Sequence, residues 1–229
     1  MNQRRLTLAV NEFYHVYNRG VEKRVLFLDD VDRVRFVELL YLSNSIKAID
    51  MRKIRDEHTS VFDFSRGENL VAIGAYCLMP NHFHILLKSL VENGIQTFMR
   101  KVSTGYSMYF NRRYARSGVL FQGRYKSELV DSDEYLKYLY SYVHLNPLKL
   151  IEKDWKERGL SNIPGAQKYL DTYEYSSYWD YIEVKREEEK ILDPSKFPLY
   201  FQNKQDFLRE IDSWLTYRII SSHTKDGPS

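Results

Sequence analysis

The chain has 229 residues, 43% of them hydrophobic, and a formal net charge of +3. That length supports one domain with a proper core, or two small domains at most. A single cysteine, Cys77, excludes an internal disulfide and a multi-cysteine zinc site, and is expected to be a buried small apolar residue. No apolar run is long enough to span a bilayer. The first residues, MNQRRLTLAV, are charged, with an apolar stretch too short for a signal peptide. A soluble cytoplasmic protein with no membrane partner is therefore expected.

In chain order, Glu12 to Asn18 (EFYHVYN) is aromatic and β-branched and reads as a strand. Asp29 and Asp30 are N-cap candidates, and Val34, Val37, Leu40 and Tyr41 recur at helical spacing, predicting a helix to about Ile46. Residues 47–68 are charged and irregular and read as a loop or insertion. Leu70 to Met79 starts a hairpin, Pro80-Asn81 turns it, and His82 to Lys88 returns as the partner strand. A second helix is expected over about 92–114, with Ile95, Phe98, Met99, Val102, Tyr106, Tyr109 and Phe110 on one face. Arg124 to Val130 reads as a strand. Ser132 or Asp133 caps a third helix that must stop near Pro147. The order β-α-β-β-α-β, then α, predicts an α+β, ferredoxin-like fold: an antiparallel four-stranded sheet with helices on one face. Residues 1–150 are assigned to this domain. Residues 151–229 are assigned to a mostly helical C-terminal extension packed on it, in which Glu183 to Lys190 reads as a solvated helix face or linker.

Charge is unevenly placed. From Gly94 to Ser127 there is no Asp or Glu, but there are seven positive charges: Arg100, Lys101, Arg112, Arg113, Arg116, Arg124 and Lys126. This exceeds the net charge of the whole chain, so the remainder is net acidic. Concentrated basic charge suits a phosphate backbone. Aromatics interleaved with it suit base stacking, although Phe98, Tyr106, Tyr109 and Phe110 have the helical spacing of core residues. Arg112, Arg113, Arg116, Arg124 and Lys126 are candidate DNA contacts. For Gln122 and Tyr125, contact with bases or the sugar-phosphate chain and a solvated surface position are equal alternatives.

The chemistry starts at His82-Phe83-His84. Alternation in a strand puts both imidazoles on one face and Phe83 on the other, so the pair faces the open side of the sheet and can share a divalent metal. Alone, such a pair is a weak signal. On the third helix, Tyr142 and Asn146 are one turn apart. They can meet a metal site as attacking group and ligand. By composition alone they are equally a packing tyrosine and a helix C-cap before proline.

Four stretches make this specific: YHVYNRG (14–20), YCLMPNHFHILLK (76–88), GVLFQGRYKS (118–127) and YLYSYVHLNPLKL (138–150), with a weaker echo in YEYSSYWDY (173–181). In this order they resemble the IS200-like Y1 (HUH) transposase family, including the REP-associated tyrosine transposases. The resemblance implies a ferredoxin-like catalytic domain in which His82, His84 and Asn146 bind the metal, Mg²⁺ or Mn²⁺, and Tyr142 is the nucleophile. It implies nicking and rejoining of single-stranded, hairpin-bearing DNA through a 5′-phosphotyrosine. A monomer is favoured over a homodimer. Relaxases and rolling-circle replication initiators share the chemistry but differ in motif order. A regulator that binds DNA without catalysis, or a sheet-based RNA-binding module, would not require both histidines and the tyrosine.

Overall fold

Strand alternation and one bulge decide which side chains reach the functional face. The computed structural model describes residues 8–221, and the side chains of residues 8–216; residues 1–7 of the charged N-terminal stretch lie outside the described residues. Strand β1 (Phe13–Arg19) pairs antiparallel with β3 (His82–Ser89) and β4 (Lys126–Val130), and β3 pairs with β2 (Val71–Met79). The sheet order is β2-β3-β1-β4. Tyr14 and Val16 of β1 and Phe83, Ile85 and Leu87 of β3 enter one core cluster, as a period of two requires.

Helices α1 (Asp30–Ser43) and α3 (Gly94–Arg113) cover that face, with Phe36, Leu40, Phe98, Val102 and Tyr106 fully buried. The fold class is thus the expected one, with the two helices of the ferredoxin-like unit on one side. Asp29 caps α1 by accepting from the Asp32 amide at 3.1 Å. Of the expected stripe of α1, Val37, Leu40 and Tyr41 are buried, but Val34 is 49% exposed, and Phe36 and Leu39 go inward as well.

The helix after this unit, α4 (Asp133–Leu145), lies across the opposite face. Ser132 caps it, its Oγ accepting from the Tyr135 amide. Leu136, Leu139, Tyr140 and Val143 pack there against Ala72, Ala75, Cys77 and Leu86. The face that carries the histidines is therefore partly roofed rather than open.

The parity of β2 changes at Gly74, where the β2–β3 register shifts between Ile73 and Ala75. Before it Val71 and Ile73 face α1 and α3; after it Tyr76 and Leu78 do. A bulge of this kind re-aims the following side chains. Glycine is required, because a Cβ at Gly74 would stand 2.8 Å from the Phe197 ring and 3.0 Å from the Tyr140 hydroxyl.

Residues 47–68 are not merely loop: they hold α2 (Met51–Glu57) and a 3-10 turn, and Ile54, Val61 and Phe62 pack into the main core. Three apolar side chains among many charges gave too little periodicity to show this. The extension contains α5 (Trp155–Arg158), α6 (Ile163–Asp171), α7 (Tyr178–Tyr181) and α8 (Lys204–Ser221). It forms its own apolar cluster around Trp155, Leu170, Tyr178, Phe207 and Ile211, continued by Leu145 and Leu148. It also closes the β2 edge: the Leu78 amide donates to the Tyr175 carbonyl and the Ser177 amide to the Tyr76 carbonyl, both at 2.9 Å. Covering an edge removes a row of unpaired backbone groups. Arg186, in the charge run expected to be solvated, is instead paired with Asp180 at 2.6 Å and donates to the Ser176 carbonyl.

Candidate active site

Cross-strand register assembles the site. Arg19 lies opposite His82, Tyr17 opposite His84, and His15 opposite Glu128. Cross-strand partners share a face of the sheet, so all six point toward α4. The His82 and His84 ring centroids are 5.1 Å apart, and α4 brings the Tyr142 ring to 5.4 Å from that of His84. Both histidines and Tyr142 line one cleft of ≈ 570 Å³, together with Asn18, Arg19, Lys23, Gln122, Lys126 and Lys149. Its lining carries four basic residues and no carboxylate, which suits a phosphate-bearing substrate.

The two imidazoles are held by hydrogen bonds at their Nδ1 atoms. The Asn81 amide nitrogen donates to the Lys23 carbonyl at 3.2 Å, so the Asn81 oxygen is the atom facing His82 Nδ1, at 2.7 Å. Nδ1 of His82 therefore carries the proton and Nε2 keeps its lone pair. His84 is fixed through a third histidine, absent from the expected site. His15 Nε2 stands 2.9 Å from His84 Nδ1, and His15 Nδ1 stands 3.8 Å from a Glu128 carboxylate oxygen. The carboxylate favours a proton on His15 Nδ1; His15 Nε2 then accepts from His84 Nδ1–H, and His84 Nε2 is free. This is the carboxylate–histidine arrangement that orients metal-binding imidazoles. The Glu128 end is held by the Tyr17 hydroxyl, which donates to it at 2.6 Å.

Burial, then the nearby cations Lys149 and Arg19, hold the His82 pKa down to about 4. Burial holds His15 down to about 4 against the raising effect of Glu128. His84 is pushed well below the ordinary value by burial first and by its histidine and lysine neighbours second. All three are neutral near pH 7, the form that ligates. Among the described residues no group of three or more His, Cys, Asp and Glu could hold a metal. The donor set is thus two imidazoles with open positions, which fits a divalent ion that must also contact substrate.

Asn146 does not line the cleft. It is fully buried; its amide donates to the Tyr142 carbonyl at 2.7 Å, and its oxygen accepts from Lys149 Nζ at 3.1 Å. It can ligate only if a rearrangement of the Lys149 side chain exposes that oxygen to the cleft. Burial raises the pKa of the Tyr142 phenol, Glu128 adds to this, and the Asn146 side chain opposes it. The Tyr138 ring lies 5.8 Å from that of Tyr142, tilted against it, and Tyr140 is buried in the core, so Tyr142 alone of the three lines the cleft.

The expected DNA contacts divide. Gln122 and Lys126 line the cleft, with the Gln122 oxygen accepting from Arg19 Nε at 2.5 Å. Arg124 is exposed and lies over the half-buried Tyr125 ring at 5.4 Å. Arg112 and Arg113 belong to a different groove, with Arg35 and Met108, on a helix packed against the other sheet face. Arg113 binds Asp29 and the buried Asp32, at 2.6 and 2.8 Å, and so anchors α3 to α1. Arg116 donates to Asn111 beside it. Nothing in the sequence singles out Arg19, Lys23, His15 or Lys149; only their strand register and turn positions do.

By fold, the chain is similar to a REP-associated tyrosine transposase solved bound to a REP hairpin. The TM-score is 0.51 at 11% identity, covering 82% of this chain and 90% of that one. The family model described as transposase IS200 like matches residues 39–146. The family resemblance carried by the motifs is thus shown, over a span that holds His82, His84, Tyr142 and Asn146. No curated protein matches the sequence. Among the described residues no helix is long and apolar enough to cross a membrane.

Proposed function

We propose that this protein is a metal-dependent single-stranded DNA endonuclease and strand transferase that works through a 5′-phosphotyrosine on hairpin-bearing DNA. The observation that carries this is the convergence of Tyr142 with two neutral, tautomer-fixed imidazoles in a cleft lined by four cations. His82 Nε2 and His84 Nε2 would hold the ion, Mn²⁺ or Mg²⁺, with Asn146 joining if Lys149 moves. A bound divalent ion would polarise the scissile phosphate and offset charge developing on its oxygens.

The residues of the chain do the rest. Arg19, Lys23 and Lys126 hold phosphates across the cleft mouth. Tyr142 Oη forms a bond to phosphorus while the P–O3′ bond breaks. The phenol gives up its proton, and the departing 3′ oxygen gains one. One strand end leaves as a 3′-hydroxyl and the other stays joined to Tyr142 through its 5′ phosphate, so the strand can be resealed without an energy source. The phenol is protonated at neutral pH, since the ordinary tyrosine pKa is ~10 and burial raises it further. Its activation must accompany attack. The similar solved protein was bound to a REP hairpin, which supports hairpin DNA as the substrate class here. We favour a monomer in the cytoplasm.

The test is a denaturing-gel assay for a covalent adduct, using a labelled pool of single-stranded hairpin DNAs with Mn²⁺ or Mg²⁺. Wild type and Tyr138→Phe should form the adduct; Tyr142→Phe and His84→Ala should not. DNA binding by wild type with no adduct on any hairpin would overturn catalysis and favour a binding regulator on the same fold.

A further inference from the structure

The extension does more than seal the β2 edge: it delivers a cation to the nucleophile. Lys156 Nζ lies 4.0 Å from the Tyr142 ring centroid, and also 6.0 Å from that of Tyr138. Lys149 Nζ lies 5.4 Å from the same Tyr142 ring. Lys156 sits on the one-turn helix α5, whose first residue, Trp155, is buried in the extension's own apolar cluster with Leu145, Leu148 and Leu170. The chain thus anchors Lys156 from both sides of the site: through Leu145 and Leu148, which directly follow the Tyr142 turn, and through α6 and α8.

Two ammonium groups beside one half-buried tyrosine repel each other. Burial and Lys149 hold the Lys156 pKa down to about 8, with Glu157 the carboxylate that partly offsets this. Lys156 remains charged near pH 7. A surface lysine is normally free to extend into water; this one is laid across the attacking ring. An anion arriving between Tyr142 and the two lysines would relieve the repulsion. The anion that must arrive there, if Tyr142 attacks, is the scissile phosphate.

We propose that Lys156 is a catalytic residue that binds a non-bridging oxygen of the phosphate presented to Tyr142, and that Lys149 assists it from the 3-10 turn Asn146–Leu150 that follows α4. This rests on the nicking activity proposed above. It gives the C-terminal extension a defined part in the site: without α5 the nucleophile would face one cation fewer.

The experiment measures binding separately from chemistry. Tyr142→Phe protein, which cannot form an adduct, is titrated with fluorescent (dT)20 by anisotropy at a series of salt concentrations. The log–log salt slope counts phosphates neutralised, by ~0.7 per contact for single strands. Lys156→Met should reduce the slope by ~0.7, and Lys156→Arg should restore it. Lys153→Met, an exposed control in the same segment, should leave it unchanged. A purely structural effect would shift affinity without moving the slope, and thermal melts establish that each variant is folded. An unchanged slope in Lys156→Met overturns the role of Lys156 whatever the catalytic outcome. Adduct formation by the wild-type Tyr142 protein on the hairpin pool, run alongside, decides the nuclease reading independently.

Discussion

Replacing His15 by alanine probes how the proposed metal-binding pair, His82 and His84, is oriented. His15 is buried, at 4% exposure, and its Nε2 is the 2.9 Å partner of His84 Nδ1. Removing the ring leaves a buried N–H of His84 without its acceptor, at a cost of ~1–3 kcal/mol to the folded state. It also frees His84 to adopt the other tautomer or to rotate, so that Nε2 no longer has a lone pair held in place. Loss of such an outer partner typically lowers metal affinity ~10–100-fold, equivalent to ~1.4–2.7 kcal/mol of binding. Isothermal titration of Mn²⁺ into metal-stripped protein reads this directly. His15→Gln, whose amide oxygen can accept from His84, should recover part of the loss. Glu128→Gln, at the far end of the relay, should weaken binding less than His15→Ala. If His15→Ala bound Mn²⁺ within twofold of wild type while still folded, the relay would not be what presents His84.

Arg113→Ala should lower the melting temperature by several degrees but leave the salt slope of DNA binding unchanged, because the guanidinium is engaged by Asp29 and the buried Asp32; a reduced slope would return it to the DNA surface. Lys126→Ala, by contrast, should reduce the slope, since this side chain lines the cleft. Metal-free protein should be less stable at pH 5 than at pH 7.5. The unfolded histidines bind protons below ~6.5, whereas folded His15 and His82 resist until about 4. The stability is therefore fully present above the unfolded value, falls between the two, and levels off below the lower one. A urea midpoint that did not drop between pH 7.5 and 5 would contradict this, and His15→Gln should flatten the dependence. Gly94→Ala should destabilise the protein by ~1–3 kcal/mol, because a Cβ there would stand 2.3 Å from the Leu70 carbonyl oxygen; an unchanged denaturation midpoint would show that β2 and α3 can separate.

Much of the fold is local and was legible for that reason. The period of two in His82 to Lys88 placed Phe83, Ile85 and Leu87 in the core and both histidines on one face, as found. The period of 3.6 in α3 and α4 identified their buried stripes, and Ser132 and Pro147 bounded α4. The family resemblance of the motifs, rather than their spacing, singles out His82, His84, Tyr142 and Asn146, and the structure brings the first three of these to one cleft. Residues 47–68 were not legible, because their packing rests on a few irregularly spaced apolar side chains, chiefly Ile54, Val61 and Phe62, rather than on a repeat. What the sequence alone determined was therefore periodicity, and with it the secondary structure and the side of each element that turns inward. What only the tertiary structure decided depends on pairs distant in the chain. The β1–β4 register sets Glu128 against His15, 113 positions away, and so favours the His84 tautomer with its proton on Nδ1. The crossing of α4 to the second face of the sheet roofs the histidines. The folding of the extension lays Lys156 on Tyr142. A charged or polar side chain has no periodicity of its own to betray its partner; its role follows from which backbone the packing of other residues brings beside it.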